Sequence, residues 1–264
     1  MRKYYPQTYW YAPEKTFAGK LEELYRRFVV RDHVNFVSRA IRDSGEQGLI
    51  LDVGCGGGLF LGLLREQGLP VLGMETSRDA AEVAQRTNHI AVICGDLAKS
   101  PLFSETCACV TMFHVVEHLH DPVVYLQSAR ALLRPNGRLI VQVPNASSWQ
   151  FLLLGERWNG IDIPRHLIDY RQSDIEKLLE HCGFEILRRK HFSLRDNAAG
   201  FASSVAPSLD PMARRVRRLA EGTVLKGFKD LLYFSLVAGA LPFALCEAAC
   251  GAGSTIMLEA RRKL

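Results

Sequence analysis

Paired cysteines, an apolar leader and a strong charge of either sign are all missing from this sequence. Its seven cysteines are odd in number and scattered, so they read as free thiols in a reducing compartment rather than as a disulfide framework. The closest pairs, Cys107/Cys109 and Cys246/Cys250, are expected to act as small hydrophobes and not as metal ligands. The opening "MRKYYPQTYWYAPEK" has no signal-peptide core, and a cytoplasmic location is the expectation. A net charge of only +5 permits contact with nucleic acid or an anionic surface without requiring it. The stretch "LLYFSLVAGALPFALC", residues 231–246, has no charge, but it is shorter than the ~20 residues of a membrane span.

What is present is an ordinary globular composition, 48% hydrophobic and 23% charged over 264 residues, enough for one sizeable core. After an aromatic start (Tyr4, Tyr5, Tyr9, Trp10, Tyr11), residues 21–41 repeat apolar side chains at helical spacing, which predicts a helix. Short apolar runs then alternate with helical patterns. Residues 49–53 read as a strand buried on both faces, 59–67 as a helix and 71–74 as a strand. Ser77 is placed to cap a helix over 79–86. "HIAVICGD", "CACVTMF" and "RLIVQVP" are further strands, and Asp121-Pro122 opens a helix between the last two. Ser173 and Glu176 suggest a capping box for a helix ending at Gly183. "FEILRRKHF" and "STIMLEARRK" close the chain as strands. The alternation implies an α/β fold, a doubly wound, mostly parallel Rossmann-like sheet of seven strands with a late antiparallel addition.

The residues between those two last strands are too many for a plain connection. Residues 193–253 are therefore expected as a helical hydrophobic insertion between a core at 45–192 and a final strand at 254–264, with 1–44 as an N-terminal cap. Within it, "PMARRVRRLAEG" places Met212, Val216, Leu219 and Ala220 on one helical face and Arg214, Arg215, Arg217 and Arg218 off it. The uncharged residues that follow are read as a hydrophobic hairpin, a lid, a dimer face or a peripheral membrane contact through 206–250.

Ligands of open parallel sheets bind outside the carboxyl ends of the strands. Asp52-Val-Gly54-Cys-Gly56-Gly57-Gly58 stands at such an end, where glycine allows positive φ and close approach to the backbone. Glu75 ends the next strand, in reach of ribose hydroxyls. A dinucleotide fingerprint, G-x-G-x-x-G, needs a third glycine where this chain has Leu59.

Taken together, "LDVGCGGG", "GMETS", "GDL", "TMFHVVEHLHDP" and "LRPNGRLIVQVPN" resemble the class I S-adenosylmethionine-dependent methyltransferases, in the small-molecule branch that includes the ubiquinone-biosynthesis type. The resemblance covers residues 45–192 and the final strand. It implies S-adenosylmethionine as cofactor, with Asp52, Gly54, Cys55, Gly56 and Gly58 around its methionine part. Glu75, beside Thr76, would take the ribose, and Asp96, beside Leu97, the adenine. Phe113 and His114 would supply backbone beneath the sulfonium. One departure is Ala108, where the family usually carries an acid, expected to be structural.

His114-Val-Val-Glu117-His118 also spells H-x-x-E-H, an inverted zinc-protease signature. A zinc site needs those histidines on one continuous helix and a third ligand downstream. Here a strand end and the Asp121-Pro122 start leave room for one turn, so no metal is expected. The loop instead sits beside the methyl donor, where histidine can accept a proton near neutral pH. His114, His118 and, from "NGIDIPRHLIDY", His166 are the candidate catalytic residues. Glu117 is read as a support of the loop, His120 as surface, and His181 and His191 as structural. The expected activity is methyl transfer to a small acceptor, hydrophobic or lipid-like if the insertion chooses it, without nucleic acid. An N/D-P-P-Y/F motif is absent where "FHVVEH" stands. The chain could assemble as a homodimer, and an NAD-dependent oxidoreductase and a non-catalytic cofactor-binding subunit are the alternative functions.

Overall fold

The computed structural model describes residues 17–217 and 222–263. The aromatic cluster Tyr4 to Tyr11 and residues Arg218, Leu219 and Ala220 lie outside them. Helix α1 (Phe17–Ser44) leads into β1 (Leu49–Val53), α2 (Leu59–Glu66), β2 (Val71–Glu75), α3 (Arg78–Asn88), β3 (Val92–Cys94) and β4 (Cys107–Phe113). Then follow α4 (Pro122–Leu132), β5 (Leu133–Pro144), α5 (Trp149–Leu154), α6 (Gln172–His181) and β6 (Phe184–Lys190). The insertion carries α7 (Asn197–Val205), α8 (Pro211–Val216) and α9 (Thr223–Ala249) before β7 (Thr255–Arg262).

The seven strands form one sheet in the order β3-β2-β1-β4-β5-β7-β6. β7 runs antiparallel to both its neighbours, and the pairs from β3 to β5 are parallel. Alternate residues of the central strands feed two apolar layers, as a two-residue period requires. Leu51, Val53, Val110, Leu139 and Val141 face α4 and α6 through Leu126, Ile175 and Leu179. Ile50, Cys109, Ile140 and Met257 face α1 and α2 through Val34, Val37, Leu61 and Leu64. The last three strands are also tied by charge: Glu259 of β7 accepts from Arg138 of β5 at 3.1 Å and from Arg188 of β6 at 2.8 Å.

The order reverses between β1 and β4. Their carboxyl ends therefore part, and the loops after them flank the crevice that such sheets offer to ligands.

Several sequence expectations need correction. The cap of α6 is Arg171, not Ser173. Asp174 Oδ2 accepts from the Arg171 N–H at 3.3 Å, and Glu176 bonds Gln172 and Arg189 instead. Within α8, Arg214 is buried against Asp230 while Met212 is exposed, because a guanidinium with a carboxylate partner and an apolar stem can be buried. Of the apolar repeat on α1, Leu24 and Phe28 are exposed while Val29 is buried.

The predicted hydrophobic hairpin is one continuous helix. Pro242 lies inside α9 without breaking it. Helix α9 is also long and apolar enough, by length and composition, to cross a membrane over Val224–Ala249, which the uncharged stretch alone was not. A thin stripe of it packs on α7 through Tyr233, Ala240 and Ala244, with Tyr233 Oη 3.0 Å from Ser203 Oγ. Gln150 Nε2 donates to buried Glu247 Oε1 at 2.5 Å.

Candidate functional site

After β1 the chain turns through Gly54, Gly56 and Gly58, all at positive φ (73°, 51° and 76°). A Cβ at Gly54 would stand 2.7 Å from Val115 of the loop after β4, so glycine there lets the two crevice loops touch. At Gly58 a Cβ would lie 2.9 Å from that of Ala84.

Glu75 is buried at the end of β2 and held by backbone amides. Gly56 N–H donates to Oε2 at 3.0 Å and Ser77 N–H to Oε1 at 2.9 Å. Asp52 is buried too, and its Oδ1 accepts from Thr111 Oγ1 at 2.6 Å. Burial pushes Asp52 up to about 7. The Thr111 bond opposes that rise and the Glu75 charge adds to it. Among the described residues no Lys or Arg forms an ion pair with either acid.

Two buried acids without an ion-paired cation among the described residues fit a ligand that brings hydroxyl donors and positive charge. They would repel a pyrophosphate. Cys55 stands buried beside them, its thiol pushed up by burial first and then by the Asp52 and Glu75 charges. Thr76 is exposed. Asp96 caps the single turn Leu97–Lys99, accepting from Ala98 N–H at 2.9 Å, and burial and Asp96 together raise the Tyr125 hydroxyl. The candidate cofactor residues are thus gathered along the carboxyl ends of β1, β2, β3 and β4.

Phe113 ends β4 with its ring between His33 and Phe60, 4.9 and 5.0 Å away. The next residue, His114, holds φ of 55°, a conformation a side chain adopts only when its surroundings impose it. Its ring lies between two acids. Nδ1 is 3.2 Å from Glu117 Oε1, and Nε2 is 3.6 Å from Asp196 Oδ2. Burial opposes protonation of this imidazole, yet the Asp196 and Glu117 carboxylates outweigh it and raise it to about 9. Gln142 Nε2 lies 2.9 Å from His114 Nε2 and donates to Asp196 Oδ2 at 2.7 Å. A proton on that ring nitrogen therefore requires the Gln142 amide to turn over.

His118 points elsewhere. Its Nδ1 donates to the Arg165 carbonyl at 2.8 Å, and His166 Nδ1 donates to the Gly160 carbonyl at 2.7 Å. The two rings stand 4.8 Å apart. With both Nδ1 atoms committed, each Nε2 keeps its lone pair. The buried Glu117 Oε2 beside them has no protein partner. Burial lowers His166, with the neighbouring His118 adding to the effect.

The inverted zinc signature is thus not assembled, since His114 and His118 face different partners across one 3₁₀ turn, Val116–His118. A different trio is brought together. Glu117, His118 and His166 each offer a ligand atom within 4.8 Å of the others, a carboxylate and two imidazoles of the kind that can hold a divalent transition metal. Groups of these types can also transfer protons. His120 is exposed, as expected.

Three polar neighbours of His114 escaped the sequence reading. Gln142 is the one polar side chain in the apolar run of β5. His33 sits where helical spacing calls for an apolar residue, between Val29 and Val37. Both break a pattern, and that is a usable signal. Asp196 follows β6 without any motif, and no local pattern marks it.

A methyltransferase domain family matches residues 22–189 of this chain. A protein of Mycolicibacterium smegmatis named as a probable S-adenosylmethionine-dependent methyltransferase is 29% identical over 66% of this chain and 64% of its own length. The ubiquinone biosynthesis O-methyltransferase of Coxiella burnetii is 26% identical over 67% of this chain and 77% of its own. Among solved structures, a SAM-dependent methyltransferase from Archaeoglobus fulgidus superposes with a TM-score of 0.58 at 18% identity, over 94% of this chain and all of that one. The magnesium protoporphyrin IX methyltransferase of Synechocystis, with bound SAH, does so with 0.55 at 18%, over 97% and 91%. These two likenesses are likenesses of fold.

Proposed function

The chain belongs to the class I S-adenosylmethionine-dependent methyltransferases, and from that premise we propose that it moves a methyl group from this donor to a small hydrophobic acceptor. The observation that carries the reading is the buried pair Asp52 and Glu75 at the ends of β1 and β2, which among the described residues has no ion-paired Lys or Arg. Glu75 keeps outward lone pairs for two ribose hydroxyls. Asp52, once ionised, faces the positive charge of the methionine end. Asp96 and Leu97 would bound the adenine, and Phe113 with the His114 backbone the sulfonium.

Bound there, the donor supplies an electrophilic methyl. The chain's own contribution is alignment, which can be worth ~7–11 kcal/mol when reacting atoms are held in line. The free Nε2 atoms of His118 and His166 are the groups that can take a proton from the acceptor, a step worth about 10²–10⁴-fold. His114, wedged between Glu117 and Asp196, holds charge beneath them and stiffens the loop.

An apolar groove of about 430 Å³, lined by Phe201, Leu209, Leu232, Leu236 and Phe243, supports a hydrophobic acceptor. The named role of the Coxiella relative supports an oxygen nucleophile. The insertion 193–253 is then the substrate-choosing part, set on a core of residues 45–192 and 254–264 behind the 1–44 cap. A cytoplasmic protein that touches the membrane from one side fits that division.

Transfer of labelled methyl from S-adenosylmethionine into a lipid extract tests the reading. Wild type should label a hydrophobic product. His118→Ala and His166→Ala should slow that labelling while keeping donor affinity. Labelling confined to water-soluble products would refute the hydrophobic acceptor, and equal loss of donor affinity would refute the role of either histidine.

A further inference from the structure

Helix α9 shows more apolar surface to the outside than it hides. Tyr233, Ala240, Ala244 and Glu247 are buried against the domain. Around the rest of its girth, Val224, Leu225, Phe228, Leu231, Leu232 and Phe234 are each between 39% and 88% exposed. Leu236 and Leu245 continue the face at 39% and 49%. From Leu231 to Cys246 no charged residue interrupts it. Soluble surfaces rarely leave a contiguous apolar patch of this kind unpartnered.

Exposed charge on the helix stands at one end only, since Glu247 near the other end is buried. Residues 211–229 hold six basic side chains (Arg214, Arg215, Arg217, Arg218, Lys226, Lys229) against one acid, Glu221. Arg214 and Arg215 pair with Asp230 and Glu22, whereas Arg217 and Lys226 are exposed. A basic end beside a wide uncharged face is the pattern of a helix that lies in a bilayer interface with its cations among anionic headgroups.

Crossing the bilayer is the poorer alternative. It would strip the buried stripe from α7 and leave Ser203 and Gln150 without the Tyr233 and Glu247 partners that hold them now. A helix of 27 residues lying flat covers about 40 Å of surface and keeps those bonds.

We propose that the exposed face of α9 seats this protein on an anionic membrane surface, with Phe228, Leu231 and Leu232 in the acyl boundary and Arg217 and Lys226 at the headgroups. The groove between α7 and α9, to which Leu232 and Leu236 contribute, then opens at the lipid and runs beside the helix whose start carries Asp196. An acceptor's hydrocarbon part can lie there, held by the same helix pair that meets the membrane. That last step rests on the methyltransferase reading; the docking does not.

Flotation of the full chain with vesicles tests the docking. The protein should float with phosphatidylglycerol–phosphatidylcholine vesicles, and less with phosphatidylcholine alone or in high salt. The double variant Phe228→Glu, Leu231→Glu should lower the floated fraction by about tenfold or more on both vesicle types. The variant Arg217→Glu, Lys226→Glu should lower it on the anionic vesicles alone. Retained thermal stabilisation by S-adenosylhomocysteine identifies each variant as folded.

No flotation of wild type would overturn the proposal, as would flotation indifferent to the glutamates. A dimer in sedimentation velocity that the Phe228/Leu231 variant splits would assign the face to a second copy and overturn it as well. Absence of stabilisation by S-adenosylhomocysteine in wild type would sink the methyltransferase reading while leaving the flotation result standing.

Discussion

Asp52 and Glu75 explain each other. Each is buried, each is held by donors from the chain itself, and among the described residues neither forms an ion pair with Lys or Arg. Asp52 is therefore pushed up to about 7. Stability linked to this group is fully present below its ordinary value of 3.8 and is lost as pH rises through about 7, because only the folded state keeps the proton. A cationic ligand favours the ionised form. Binding of S-adenosylhomocysteine, whose amino group is charged, should release a proton near neutrality. Calorimetry in buffers of different ionisation enthalpy should show it, with the release absent in Asp52→Asn.

His114 has the opposite sign. Its raised value of about 9 adds stability that is present below the ordinary 6.5 and is lost as pH rises through about 9. Asp196, whose carboxyl burial pushes up but Arg195 and His114 hold well below the usual range, contributes stability that is present above its ordinary 3.8 and is lost as pH falls below that value. Asp196→Asn should lower the His114 titration point followed by imidazole resonances. Its melting temperature should fall furthest below wild type near pH 6 and approach it above pH 9. The histidine loop and glycine turn were legible as motifs. Asp196 was not, because it meets His114 through the tertiary fold and not through spacing along the chain.

At the scale of elements, the strands were legible because each central one is a short apolar run buried on both faces. The glycine turn adds a constraint that spacing alone does not show. Gly58 combines φ of 76° with a Cβ position 2.9 Å from Ala84, so Gly58→Ala forces both backbone and packing. It should cost about 1–3 kcal/mol in urea unfolding and weaken donor binding. Helix α9 is continuous through Pro242, where the sequence predicts a hairpin. Proline removes only one donor and crowds one turn. A helix packed on α7 along its length can tolerate that loss.

The whole molecule is one sheet whose order reverses between β1 and β4, with all candidate cofactor residues on its carboxyl edge. That topology followed from the alternation of patterns. The placement of the insertion did not, since apolar sequence marks a face as sticky without naming what it meets.

The most direct measurement is calorimetric binding of S-adenosylmethionine, S-adenosylhomocysteine and NAD to wild type and Glu75→Ala. Hydrogen bonds to a charged group contribute about 1.5–3 kcal/mol, so loss of the Glu75 carboxylate should weaken both adenosyl compounds at least tenfold. NAD should not bind. Binding of NAD alone, or adenosyl binding indifferent to Glu75, would contradict the assignment of this crevice to the methyl donor.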